Sequence, residues 1–160
     1  MKDPSTMTEM ERLRLWFRDP VAKLSGDDAF VVLMVSMSLW ERYVRALINE
    51  EGGDSSPNGF EQRAADLLNI NKNTFNKFWG MFRVGMQHYL QPKVFSSGGV
   101  QYSWKIHADY PDRPTLEKVS DSLIYVIIDP WKWFDLVFGF WEGRPDLLSR
   151  LSEFPIGSVY

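Results

Sequence analysis

The sequence predicts a mainly α-helical domain, a bundle of about five helices carrying a small β-hairpin or three-strand excursion. Three observations predict it. Apolar residues recur at helical spacing through most of the chain, and nowhere more cleanly than from Thr74 to Leu90. Strand-like alternation is confined to one stretch, between about Val94 and Ile128. The 160 residues are 44% apolar and 15% aromatic, which suits one domain with a real core and argues against a disordered chain.

The elements follow in order. Ser5 to Phe17 reads as a first helix, with Met10, Leu13 and Phe17 (or Trp16) at helical spacing and Asp19-Pro20 as its end. Ser25-Gly26-Asp27-Asp28 is an N-cap cluster for a second helix from Ala29 to Asn49. That helix is apolar almost all round in its first half, as a central buried helix is. On its second half Glu41 and Arg45 stand at i,i+4 and can pair. Glu50 to Gly59 is a loop by composition, and Phe60 to Leu68 a short helix. Asn71 to Thr74 caps the next helix, whose stripe is Phe75, Trp79, Phe82, Met86 and Leu90. Gln91-Pro92 ends it.

Val94-Phe95 and Val100 to Ile106 flank Ser96-Ser97-Gly98-Gly99 as a β-hairpin. Tyr110 to Pro114 is a turn, and Ser122 to Ile128 a third strand. Asp129-Pro130 starts a last helix, with Pro at its first position and Trp131, Phe134, Leu136, Val137, Phe138 and Trp141 on it. Gly143-Arg144-Pro145 interrupts it, and Pro145 to Leu151 restarts it. Residues 1–160 read as a single domain, with 1–5 and 153–160 as loosely held tails.

Composition excludes several chemistries. The chain has no Cys and two His, which removes thiol catalysis, Cys-ligated metals and His-rich metal sites. We therefore expect no metal and no cofactor. A formal charge of −3 does not suit a general nucleic-acid coat, although a local basic groove is compatible with it. The polar start Met-Lys-Asp-Pro-Ser-Thr has no apolar run behind it, and Ala29 to Trp40 is too short to span a bilayer. The expectation is a cytoplasmic protein without a membrane partner.

One motif carries chemistry. Arg83 and His88 form Arg-x4-His near the end of the most periodic helix. A His with a near-neutral pKa can take the proton of a ribose 2′-hydroxyl or protonate a leaving 5′-oxygen. An Arg can hold the phosphate and stabilise the charge developing on it. Together they suit RNA cleavage without a metal, to 2′,3′-cyclic phosphate and 5′-hydroxyl ends. The spacing alone is a weak signal in any chain. On a regular helix five residues are about 500° of rotation, so the two side chains stand about 140° apart. Either the last turn deviates, or two copies of the motif meet across a dimer axis. The bland alternative is that the helix dipole favours His88 and that Arg83 covers the apolar stripe.

The stretch Phe78-Trp79-Gly80-Met81-Phe82-Arg83-Val84-Gly85-Met86-Gln87-His88, followed by Pro92-Lys93, resembles the HEPN superfamily (higher eukaryotes and prokaryotes nucleotide-binding domain). Val94 to Ile106 and Asp129-Pro130-Trp131 match the hairpin and helix start that some bacterial members place after the motif. The helix around Trp40-Glu41-Arg42-Tyr43-Val44-Arg45 resembles the long partner helix. The resemblance spans most of Ala29 to Leu151 and is sharpest from Arg83 to His88. It implies a helical bundle that dimerises and acts as a metal-independent endoribonuclease of a prokaryotic defence or toxin–antitoxin system. A cognate antitoxin or regulatory protein is then an expected partner, beside RNA and a second copy.

Under that resemblance Arg83 and His88 are the catalytic pair. Gln87 and Lys93 contribute weakly to RNA binding, and Glu41 on the partner helix supports His88 or Arg83. Active members commonly carry a polar residue after the Arg, where this chain has Val84. The alternative implied is a non-catalytic, dimeric RNA- or protein-binding module. A helical DNA-binding regulator is a weaker third reading, since no basic recognition helix is present.

Other candidates read as structure. His107 has no partner constellation, and Asp109, Asp112, Asp121 and Asp129 suit loop and cap chemistry. Trp131-Lys132-Trp133-Phe134 suits core more than base stacking. Ser96 to Gly99 is no phosphate loop, because no helix follows it. Lys72, Lys77 and Lys93 are by default solvated surface.

Overall fold

The computed structural model describes residues 6–89 and 91–149. It is mainly helical, with one four-stranded sheet inserted between the motif helix and the last long helix. Ser5, Leu90, both expected tails and the last two residues of the expected C-terminal helix lie outside the described residues.

The chain begins with a continuous helical run: α1 (Glu9–Leu13), a π-helical turn (Arg14–Arg18) and α2 (Asp19–Val21). Thr8 caps it reciprocally, accepting from Glu11 N–H at 3.2 Å while its own N–H donates to the Glu11 carboxylate at 2.9 Å. The expected stop at Asp19-Pro20 is corrected, since the run continues to Val21. The reason is the widened turn before it: Asp19 N–H reaches back five residues to the Arg14 carbonyl. A π turn there relieves the clash that a proline ring causes inside an α-helix. Leu13 is buried and Phe17 half-buried, while Trp16 faces solvent.

A 3₁₀ turn (Gly26–Asp28) leads into α3 (Ala29–Glu51), the 23-residue axis of the molecule. α3 is buried along most of its length and packs against α7 (Pro130–Gly143). Trp40 meets Trp133 edge-on at 5.7 Å, and Trp141 donates its indole N–H to the Leu39 carbonyl at 3.1 Å. Gly52 ends α3 in the left-handed conformation, φ 65°. Glu41 and Arg45 do pair, at 3.0 Å.

α4 (Pro57–Leu68) starts earlier than composition suggests, because Ser56 caps it and Pro57 occupies its first position. α5 (Lys72–Phe78) likewise starts two residues ahead of the expected Thr74, with Asn71 as cap. It runs without a break into a π-helical stretch (Trp79–Val84) and α6 (Gly85–Tyr89). Phe75, Phe82 and Met86 of the expected stripe are buried, and Phe78 and Met81 are buried beside them.

β1 (Phe95–Ser97) and β2 (Val100–Ile106) form the expected hairpin, turning through Gly98 and Gly99 at φ 59° and 80°. Two consecutive positive φ values are the requirement of a type I′ turn. The three-strand expectation is corrected to four. β3 (Thr115–Ser120) precedes β4 (Leu123–Ile128), and the order across the sheet is β1-β2-β4-β3. β2 and β4 run parallel, so residues 107–122 make the crossover, and β3 returns as an edge strand antiparallel to β4. Phe95, Tyr102, Trp104, Ile106 and Leu116 turn one face of the sheet onto the helical core. Trp104 bridges the layers, 5.4 Å from the Phe30 ring and 6.3 Å from Phe82.

Asp129 caps α7 as expected, accepting from Trp131 N–H at 3.0 Å and Lys132 N–H at 3.3 Å. After α7, Arg144 pairs with Glu50 at 2.6 Å and Asp146 at 2.8 Å, joining the short α8 (Asp146–Ser149) to the end of α3. Among the described residues no helix is long and apolar enough to cross a membrane.

Candidate functional site

The motif helix is positioned by its aromatic side. Phe75 and Phe78 are fully buried, and Phe78 packs edge-on to Trp133 of α7 at 5.4 Å. The helix then widens from Trp79 to Val84, and Arg83 sits in the widened part. π segments interrupt the α ladder and often mark functional places. Here the altered ladder has a visible use. Gly85 N–H bonds to the Phe82 carbonyl, while the Met81 carbonyl accepts Lys93 N–H at 2.9 Å. The chain leaving the helix thereby crosses back over Gly85. A Cβ at Gly85 would lie 2.4 Å from the Lys93 nitrogen and 2.8 Å from the Gln91 carbonyl oxygen. Only glycine fits under that crossing. Gly85 falls inside the motif stretch, but the reason it must be glycine was not legible, because the segment that crosses it follows a proline break and gives no helical period.

Arg83 turns toward α3. Its Nε donates to Glu41 Oε2 at 2.9 Å, and its Nη2 forms an ion pair with the same oxygen at 2.9 Å. The other carboxylate oxygen of Glu41 accepts from Arg45, at 3.1 Å from Nε and 3.0 Å from Nη2. One carboxylate thus bridges two guanidinium groups and leaves the cluster with a net positive charge. Arg83 and Glu41 are largely shielded, 22% and 19% exposed, while Arg45 is 46% exposed. Aromatic rings back both arginines. Arg45 lies over Phe60 at 4.9 Å, Arg83 over Trp79 at 6.0 Å, and the two rings meet at 5.1 Å. The Arg83 Nη1 is buried and has no hydrogen-bond partner among the described residues. A buried cationic donor without an acceptor is a costly arrangement.

His88 lies on α6 and is exposed. Its ring is 6.4 Å from that of Tyr89, at 64°. It makes no side-chain hydrogen bond or ion pair among the described residues, with Arg83 or with any other group. Lys93 is exposed, with its ammonium 5.9 Å from the centre of the Tyr89 ring. Val84, after the Arg, is 39% exposed. The Gln87 side chain lies outside the described residues.

The remaining candidates have local partners. His107 Nδ1 accepts Asp109 N–H at 3.1 Å, Asp112 pairs with Arg113 at 2.9 Å, and Asp121 with Lys118 at 2.8 Å. Lys72 bonds Asn58, and Lys77 lies over Tyr102 and Phe95 at 4.5 and 5.1 Å. Trp133 and Phe134 are core, and Trp131 is half-buried against it. Tyr43, Asp54, Arg113 and Arg144 titrate away from their ordinary values, the two arginines raised by their hydrogen bonds to Asp112 and to Asp146 and Glu50. Burial pushes the Tyr43 hydroxyl up. The backbone N–H and hydroxyl of Ser56 hold the Asp54 carboxyl below the usual carboxylate range.

Compared with protein-family models, with curated proteins and with solved structures, the chain finds no match in any of the three.

Proposed function

We propose that this chain is a HEPN-like, metal-independent endoribonuclease of a prokaryotic defence or toxin-type system. The observation that carries the reading is the contrast between the two motif residues. His88 is an open imidazole at the solvent end of the helix. Arg83 is a guanidinium braced by Glu41, with one further donor that no acceptor satisfies. In the reaction His88 takes the proton of the ribose 2′-hydroxyl as that oxygen attacks phosphorus. The bond to the 5′-oxygen breaks, and that oxygen leaves as the 5′-hydroxyl with a proton taken from water, the hydroxide so formed later removing the proton held on His88. Arg83 stabilises the charge on the non-bridging oxygens. Because Arg83 is turned onto Glu41 while His88 faces solvent, the reading includes a homodimer in which His88 of one copy completes the Arg83 site of the other.

The test uses purified full-length protein and labelled single-stranded RNA in EDTA. The wild type is expected to cleave it to cyclic-phosphate ends, and His88→Ala to lose at least about a hundredfold in rate, the usual scale of general acid–base catalysis. The circular dichroism spectrum is expected to stay the same, since His88 is exposed. Equal activity in the variant, or none in the wild type, overturns the reading.

A second reading is a non-catalytic dimeric module that binds RNA or a partner protein. Two observations favour it. Arg83 is already paired with Glu41 through Nε and Nη2, the first as a hydrogen bond, and the residue after Arg83 is an apolar valine. RNA binding without cleavage is its signature.

A further inference from the structure

We infer that Tyr89 is a base-stacking platform that selects unpaired RNA at the His88 site, with Lys93 supplying the phosphate contact. The inference rests on the RNA-directed reading above and adds to it a specificity residue that Arg-x4-His does not contain.

Tyr89 is not part of the buried core. It lies off the buried stripe of its helix and is 59% exposed, whereas Phe75, Phe78 and Phe82 on the same helix are fully buried. A single exposed aromatic is ordinary by itself, and it takes its meaning from what stands around it. Its surroundings are specific. His88, the proposed proton-transfer group, is its sequence neighbour, with ring centres 6.4 Å apart. The Lys93 ammonium stands over the ring at 5.9 Å. The Lys93 backbone is pinned by the hydrogen bond to Met81 and by the crossing over Gly85, so the cation is delivered to this place by the fold. Val94, the next residue in the chain, is 45% exposed.

An aromatic face beside a cation is the pairing that single-stranded nucleic acid uses, the base on the ring and the backbone on the cation. With the two ring centres 6.4 Å apart, a base stacked on Tyr89 brings its nucleotide into the neighbourhood of His88. A paired base in a duplex cannot reach that face without leaving its stack, so Tyr89 discriminates by strandedness rather than by sequence.

The test measures binding in the His88→Ala background, where the RNA stays intact. The probes are a 5′-labelled single-stranded oligoadenylate of about twelve nucleotides and a blunt RNA duplex of the same length, read by fluorescence anisotropy. Tyr89→Ala is expected to raise the single-strand Kd about tenfold and to leave duplex binding within about twofold. Tyr89→Phe and Tyr89→Trp are expected to stay near the parent value. Unchanged single-strand binding, equal loss on both probes, or failure of the aromatic variants to restore binding overturns the inference, as does absence of RNA binding by the parent. Cleavage by the otherwise wild-type protein is scored separately. Tyr89-dependent binding without cleavage removes the nuclease reading and leaves the platform standing. Cleavage with an unaltered KM in Tyr89→Ala removes the platform and leaves the nuclease.

Discussion

Arg83 and His88 stand five positions apart with four residues between them, and the fold sends the two to different environments. Arg83 is gathered into a cluster of two arginines and one glutamate, and His88 is left in water. Their chemistry was legible in the sequence as residue types at a spacing. Their orientation was not, because it depends on a π-helical stretch that no periodicity announces. The residue whose identity the backbone dictates most strictly is Gly85. Gly85→Ala drives a methyl group into the Lys93 and Gln91 backbone, which cannot retreat as a flexible side chain can. The expected cost is about 1–3 kcal/mol, the range of overpacking, read as a lower urea midpoint with unchanged m-value. If Gly85→Ala unfolds at the wild-type midpoint, the crossing over the helix is not as tight as described. The Glu41 pairing with Arg83 was open in the sequence between two partners, and the geometry puts the carboxylate on Arg83.

At the scale of elements, signals that are local chemistry carried through. The Gly98-Gly99 turn, the Asp129-Pro130 helix start and the apolar first half of α3 each contain their own cause. Strand β3 did not show itself. Thr115 to Ser120 is short, half polar and exposed at its end, as an edge strand is, and its pairing with β4 is decided by a partner later in the chain. The Pro20 position misled for a related reason, since proline ends a helix only when no widened turn makes room for it. The Asp129 cap allows a direct measurement. Its carboxylate is 3% exposed and accepts two backbone N–H groups at the start of the helix that carries Trp133, Phe134 and Trp141. Asp129→Ala is expected to lower stability by about 1–2 kcal/mol, and Asp129→Asn by less, because asparagine still caps. Equal stability of all three proteins in urea would show that the cap adds nothing to α7.

For the whole molecule, one aromatic core joins α3, α7, the motif helix and the inner face of the sheet. Tyr43 stands inside it, stacked on Trp40 at 5.9 Å and edge-on to Trp141 at 5.3 Å. Burial raises its hydroxyl above the ordinary value of 10.0, so the folded state favours the neutral phenol. The stability this contributes is intact below the unfolded value and is lost as the pH rises through the folded one. Wild-type protein is therefore expected to lose melting temperature above about pH 10 more steeply than Tyr43→Phe, which has no proton to release there. Parallel alkaline profiles would show that the hydroxyl reaches water in the folded state.

The sequence by itself determined the class, a mainly helical chain with one β insertion. It also determined the chemistry available to the protein, with no thiol, two imidazoles and one Arg-x4-His pair on the most periodic helix. Those are properties of composition and of contacts a few residues apart, and they need no partner from elsewhere in the chain. Only the tertiary structure decided that Arg83 meets Glu41 across 42 residues, that β2 lies parallel to β4, and that Lys93 is tied back over Gly85 to stand beside Tyr89. Each of these is a non-local pairing in which a widened turn, an edge or a close backbone crossing satisfies groups that local sequence leaves unpartnered.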